Sequence, residues 1–133
     1  ITAHRGCAGG CAFCSITQSE GRRVISRSPE SVLREIRALA GHGEWRGVVS
    51  DIGGPSAEMY GSDCPAADCA RPSCLHPRLC PNLDTDHGPL LDIYAAVAAV
   101  PGVKRAFVAS GIRYDLLLGR PAAQARADRP AIQ

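Results

Sequence analysis

The sequence predicts an α/β fold built on parallel strands. Three observations carry that expectation. Short apolar stretches of strand character alternate with stretches of helical periodicity. Their order reads strand, loop, helix, strand, long aperiodic segment, helix, strand, which suits right-handed crossovers. The loops richest in Cys, Gly and Ser leave the carboxyl ends of those strands, where chemistry collects in such sheets.

Residues 1–6, "ITAHRG", read as the end of a strand already under way, so the chain is expected to be a piece of something longer. A glycine-rich loop with three cysteines follows, and residues 22–28 allow a brief extended segment. The clearest helix begins after Ser28, a good N-cap. Pro29 suits the first helical position and Glu30 complements the positive end of the dipole. Val32, Leu33, Ile36, Leu39 and Ala40 recur at helical spacing, and Gly41 and Gly43 end the run. Residues 46–55, "RGVVSDIGGP", read as a short buried strand entering a glycine turn.

Residues 55–86 are rich in Cys, Pro, Asp and Ala, with little periodicity. A stretch of this kind is expected to be fixed by something other than an apolar core. A second helix is expected over 87–100, with Pro89 in its first turn and Leu90, Ile93, Tyr94 and Val97 on one face. "DTDH", 84–87, reads as its start rather than as a ligand cluster. Pro101 and Gly102 stop it. Residues 103–110 form the next strand and "GIRYDLLL" leaves it. The tail 119–133 is polar, proline-containing and aperiodic, and is expected to be poorly ordered.

The chain has 133 residues, enough for one ordinary domain or less. Its formal charge of +2 gives no argument for a nucleic acid or an anionic membrane as partner. No apolar run approaches the roughly 18 residues of a membrane span, and no basic segment leads into an apolar core as in a signal peptide. Seven cysteines are many for this length. A reducing, cytoplasmic compartment is therefore expected, where clustered thiols serve metals or catalysis more often than disulfides.

Cys7, Cys11 and Cys14 are spaced C-x3-C-x2-C. Short spacing lets one loop wrap a cluster and aim three thiolates at three irons, and Gly6, Gly9 and Gly10 permit the backbone angles that the wrap needs. Three thiols leave one metal position open for a small molecule. The alternatives are a zinc site that borrows a fourth ligand, such as His4, and three unrelated buried thiols. Cys64, Cys69, Cys74 and Cys80 are separated by four, four and five residues. They suggest that a second metal organises the aperiodic segment, either zinc in a four-thiolate site or an auxiliary iron–sulfur cluster. The alternative is four unliganded thiols in a mobile loop.

Asp51 ends a strand beside two glycines, where a site-facing role and a turn role are both open. Ser110 and Arg113 leave the last strand at the same end of the sheet, as candidate cofactor or substrate contacts. Arg5 is expected to be a salt-bridged surface arginine, with a steadying charge for the thiol loop as the sharper alternative.

"CAGGCAFC" resembles the radical SAM signature, three cysteines at this spacing with an aromatic residue just before the last. "HRGCAGGCAFCSIT", "RSPESVLREI", "DIGGPSAEMYG", "SCLHPRLCPNLDTDH" and "FVASGIRYDLLL" together resemble the YgiQ family of radical SAM proteins, in order through about residues 2–118. The resemblance implies the N-terminal portion of a partial (β/α) barrel over 1–118, interrupted by the Cys-rich insertion 55–86 and followed by a divergent tail. It implies a [4Fe–4S] cluster on Cys7, Cys11 and Cys14, with S-adenosyl-L-methionine on the open iron, Phe13 beside the adenine, and the backbone of Gly53 and Gly54 near the methionine amino group. Pro55 stands where the superfamily carries an acid, so only the backbone role transfers. The implied activity is formation of a 5′-deoxyadenosyl radical acting on an unknown substrate, with an electron donor such as a flavodoxin or ferredoxin. A non-catalytic metal-binding module and an inactive fragment are the competing expectations.

Overall fold

The computed structural model describes residues 1–66 and 69–118. The expected tail, 119–133, lies outside the described residues. β1 (His4–Arg5) leads through the thiol loop into the short helix α1 (Ile16–Ser19). β2 (Ile25–Ser26) precedes helix α2 (Pro29–Ala40), and β3 (Val48–Val49) precedes a 3-10 turn at Ala57–Met59. After the aperiodic segment come α3 (Gly88–Ala98), β4 (Arg105–Ala106) and α4 (Tyr114–Leu118).

The strands form two pairs. β3 and β4 are parallel, with Val48 opposite Arg105 and Val49 opposite Ala106. A parallel bridge from Thr2 to Gly53 joins the first segment to the end of the β3 strand, through Ala3 N–H to Gly53 O at 2.7 Å and Gly53 N–H to Ile1 O at 3.1 Å. The expected parallel direction therefore holds between β3 and β4 and at that bridge. β2 departs from it and runs antiparallel to β1, because the thiol loop and α1 return the chain beside the strand it has just left. Among the described residues the strands close no barrel. No helix is long and apolar enough to cross a membrane.

α2 forms where its sequence signals lie. The Ser28 hydroxyl accepts from Ser31 N–H at 3.3 Å, Pro29 opens the helix, and Val32 and Ile36 are fully buried. α3 starts at Gly88, one turn position later than the 84–87 punctuation. There Asp84 accepts from Asp86 N–H at 2.8 Å and Asp86 from Gly88 N–H at 3.0 Å, a stepped turn into the helix. Ile93 and Val97 of α3 meet Val32 and Ile36 of α2 over Ala3, Val49 and Ile52 in the main core. Tyr94 fastens this layer: its hydroxyl accepts from Ile52 N–H at 3.1 Å and donates to Phe107 O at 3.0 Å, so α3 grips the ends of both β3 and β4. Burial pushes that phenol up to about 12.

The segment 55–86 corrects one expectation, because it does have apolar anchors. Met59 and Leu75 are buried with Leu116 of α4 in a second core, against which Val24, Leu79, Leu83 and the side chain of Cys7 pack. These apolar residues follow no helical or strand period, so periodicity could not reveal them.

Candidate metal centre

The thiol loop leaves β1 through Gly6, whose φ of +86° turns the chain sharply. A Cβ there would meet Arg23 O at 1.9 Å. Gly6 N–H donates to the Glu20 carboxylate at 3.1 Å and Cys7 N–H to Gly21 O at 3.1 Å, closing the loop at its base. Cys14 N–H donates to Cys11 O at 3.1 Å, closing a tight turn between them. Cys7, Cys11 and Cys14 are each half-buried, and none of them forms a disulfide.

The loop leaves a cradle at Gly9. The position that a Cβ would take there lies 3.3 Å from Cys7 Sγ, 3.5 Å from Cys11 Sγ and 3.5 Å from Arg113 Nη1. Two thiols and a guanidinium thus converge on space that any larger residue would fill. Among the described residues no three His, Cys, Asp or Glu side chains are grouped to hold a metal ion. His4 does not join the thiols. Its buried ring lies on Gly54, where a Cβ would come within 2.6 Å of His4 Nε2. Burial lowers its pKa and keeps the ring neutral, although the nearby Ser56 backbone opposes that in part, and neither ring nitrogen makes a hydrogen bond within ordinary limits.

The loop is backed by the second cysteine segment. Cys74 N–H donates to Ala8 O at 3.0 Å and Ser73 Oγ to Gly9 O at 2.5 Å. The Ser73 hydroxyl also accepts from Leu75 and His76 N–H, each at 3.0 Å. Gly10, at φ +59°, lets the loop lie on Pro72, whose carbonyl oxygen a Cβ would meet at 2.3 Å. Burial pushes the Cys74 thiol up, and Cys80, Cys64 and Cys69 add to that, against a smaller opposing effect of Arg22. The four thiols are therefore electrostatic neighbours. They are not a preformed site, and Cys69 is exposed while Cys80 is buried.

Of the other candidates, Phe13 is 94% exposed at the tip of the loop and is no core aromatic. Gly53 is needed for close approach, since a Cβ would stand 1.9 Å from Ser110 Oγ. Asp51 takes neither a local turn nor a capping bond among those described and instead tethers the loop after β4: it accepts from Ala109 N–H at 2.9 Å, Ser110 N–H at 3.1 Å and the Ser110 hydroxyl at 2.5 Å. Burial raises its pKa, but those bonds from Ser110 and Ala109 outweigh it and hold the carboxyl below its usual range. Arg5 is exposed and belongs to none of the three ion pairs among the described residues.

Arg113 reaches the thiols themselves, with Nη1 3.7 Å from Cys11 Sγ. Asp115 holds its other edge, and Glu58, buried to 3% exposure, accepts from its backbone N–H at 3.1 Å. Ser73, Glu58 and Asp115 were not visible as site residues in the sequence. Ser73 meets Gly9 across 64 positions and Glu58 meets Arg113 across 55, and no local pattern encodes either contact.

No protein-family profile matches the chain. Among curated proteins it is similar to a UPF0313 protein of Bacteroides thetaiotaomicron, 52% identical over 122 residues, or 89% of this chain and 20% of that protein. A UPF0313 protein of Methanocella arvoryzae is 53% identical over 122 residues, with the same coverage of 89% and 20%. UPF0313 protein PA4928 of Pseudomonas aeruginosa is 49% identical over 126 residues, 91% of this chain and 17% of that protein. The chain thus spans about a fifth of the length of the relatives it matches. Their shared name states no reaction.

Proposed function

We propose that the chain is part of a radical SAM domain of the YgiQ type, in which Cys7, Cys11 and Cys14 hold a [4Fe–4S] cluster beside S-adenosyl-L-methionine. The observation that carries this reading is the cradle at Gly9, where Cys7 Sγ, Cys11 Sγ and a guanidinium face one vacated Cβ position. The parallel pairing of β3 with β4 and the parallel bridge at Gly53, with α2 and α3 between strands, support a partial (β/α) barrel that the remainder of a longer polypeptide completes.

When bound, the cluster and S-adenosyl-L-methionine supply one-electron reductive cleavage to a 5′-deoxyadenosyl radical, chemistry that belongs to the cofactors. The chain's own residues bind and shield. The half-buried thiols of the loop would hold the cluster, and Gly9 keeps the space between two of them clear. Phe13 offers an exposed ring for the adenine face. Gly53 engages its N–H and C=O with residues 1 and 3, and the backbone of the Gly53–Gly54 pair would lie near the methionine amino group. A reducing, cytoplasmic setting and a flavodoxin or ferredoxin as electron donor follow from that chemistry, and an unknown substrate is a further partner. We extend the reading to a second metal on Cys64, Cys69, Cys74 and Cys80, supported by their spacing in the sequence and by the nearness of the other three to Cys74.

The test is anaerobic reconstitution with iron and sulfide, then reduction in the presence of S-adenosyl-L-methionine. The expected result is 5′-deoxyadenosine that disappears in Cys11→Ala. Cluster assembly with no cleavage would leave a metal-binding module without catalysis. Metal analysis separates the readings of the second thiol set: about four irons per chain means the first cluster alone, clearly more means an auxiliary cluster, and a zinc equivalent means a structural zinc site.

A further inference from the structure

Resting on the reading of Cys7, Cys11 and Cys14 as cluster ligands, we propose that Arg113, clamped by Asp115 and Glu58 against Cys11, is a positioning residue that raises the reduction potential of the cluster. The geometry divides the guanidinium into two edges. One is a fork on Asp115, with Nε to Oδ1 at 3.1 Å and Nη2 to Oδ2 at 2.6 Å. The fork occupies Nε and Nη2 and leaves Nη1 turned to the thiol loop, 3.7 Å from Cys11 Sγ and 3.5 Å from the vacant Cβ position of Gly9.

The backbone is clamped as well. Arg113 N–H donates to Glu58 Oε1, and Glu58 Oε2 accepts from Ser56 Oγ at 2.8 Å, so a buried carboxylate fixes where α4 begins. Three segments thus meet at Arg113: the thiol loop and the segment that leaves β4 at its guanidinium, and the turn after Gly54 at its backbone N–H. Asp115 and Cys11 keep Arg113 protonated against partial burial.

One-electron reduction takes [4Fe–4S]2+ to [4Fe–4S]+, the electron coming from an external reductant, and adds negative charge to the cluster and its thiolates. Charge and hydrogen bonds to sulfur are the terms by which a protein sets cluster potential. A cation donating N–H to Cys11 Sγ stabilises the reduced form more than the oxidised one, so the potential rises. Asp115 offsets part of the charge while it aims the donor.

The experiment is a redox titration of the reconstituted full chain with dithionite, followed by electron paramagnetic resonance. Iron content and circular dichroism are matched across wild type, Arg113→Ala, Arg113→Lys and Asp115→Asn. Arg113→Ala is expected to hold about tenfold less reduced relative to oxidised cluster at a fixed applied potential, a shift of about −59 mV for one electron. Arg113→Lys, which keeps the charge, recovers part of it, and Asp115→Asn moves the potential upward. A loaded Arg113→Ala protein that titrates with the wild type overturns the inference and leaves the proposed ligands standing. Should Arg113→Ala fail to load, an unmoved potential in Asp115→Asn overturns it equally. A wild-type chain that assembles no cluster overturns the ligand reading and this inference with it.

Discussion

Gly10 is the residue through which the two cysteine segments touch. Its φ of +59° is a left-handed conformation that costs an L-residue about 1–2 kcal/mol, and its missing Cβ is the space taken by Pro72 O. Gly10→Ala is therefore expected to destabilise by at least that amount in denaturant unfolding and to lift residues 72–74 off the loop. His4 has a different lesson. It is 1% exposed, and burial lowers its pKa from the ordinary 6.5, so the unfolded chain binds the proton more readily than the folded one. The stability contributed by the neutral ring is fully present above about pH 6.5 and is lost as pH falls toward the lower folded value. His4→Leu is expected to flatten unfolding free energy between pH 7 and pH 5, measured in urea at fixed ionic strength. A slope equal to that of the wild type would show that another group titrates there.

Among the elements, α3 does most to order the strand ends. Its apolar face packs on α2, but the Tyr94 hydroxyl is what bridges Ile52 and Phe107, at the ends from which the glycine turn and the Ser110 loop depart. Tyr94→Phe keeps the ring and removes the bridge, leaving Ile52 N–H short of its partner. A loss of about 1–3 kcal/mol is expected, together with faster hydrogen exchange at Ile52. α2 is held differently, by an N-cap, a first-position proline and two buried residues one turn apart. All of these are local features, and all were legible in "SPESVLREI".

At the scale of the molecule there are two cores. The main one joins α2, α3 and the strands, whereas Met59, Leu75 and Leu116 form a smaller one under the thiol loop. Leu75→Ala is expected to cost about 2–5 kcal/mol in the region it serves. Amide exchange at Cys74 and Cys80 should rise while α2 and α3 stay protected. Equal loss of protection in both regions would mean that the cores unfold as one unit. The second core also explains why the thiol loop needs the cysteine-rich segment. That segment supplies both the apolar floor under Cys7 and the hydrogen bonds to Ala8 O and Gly9 O.

From the sequence alone one could read the alternation of elements, the caps of α2, the punctuation before α3 and the three-thiol spacing, because each depends on residues within a few positions of one another. The tertiary structure alone decided the antiparallel turn-back of β2, the docking of Ser73 and Cys74 on the loop, the burial of His4 over Gly54 and the approach of Arg113 to Cys11. That last pair lies 102 positions apart. Such contacts are set by how strands pair and how two cores pack, and neither leaves a periodic trace in the chain. For the four later thiols, spacing suggested a shared metal, whereas the fold places Cys64, Cys69 and Cys80 near enough to Cys74 to add to the rise of its pKa and groups no three of the described side chains as a metal site.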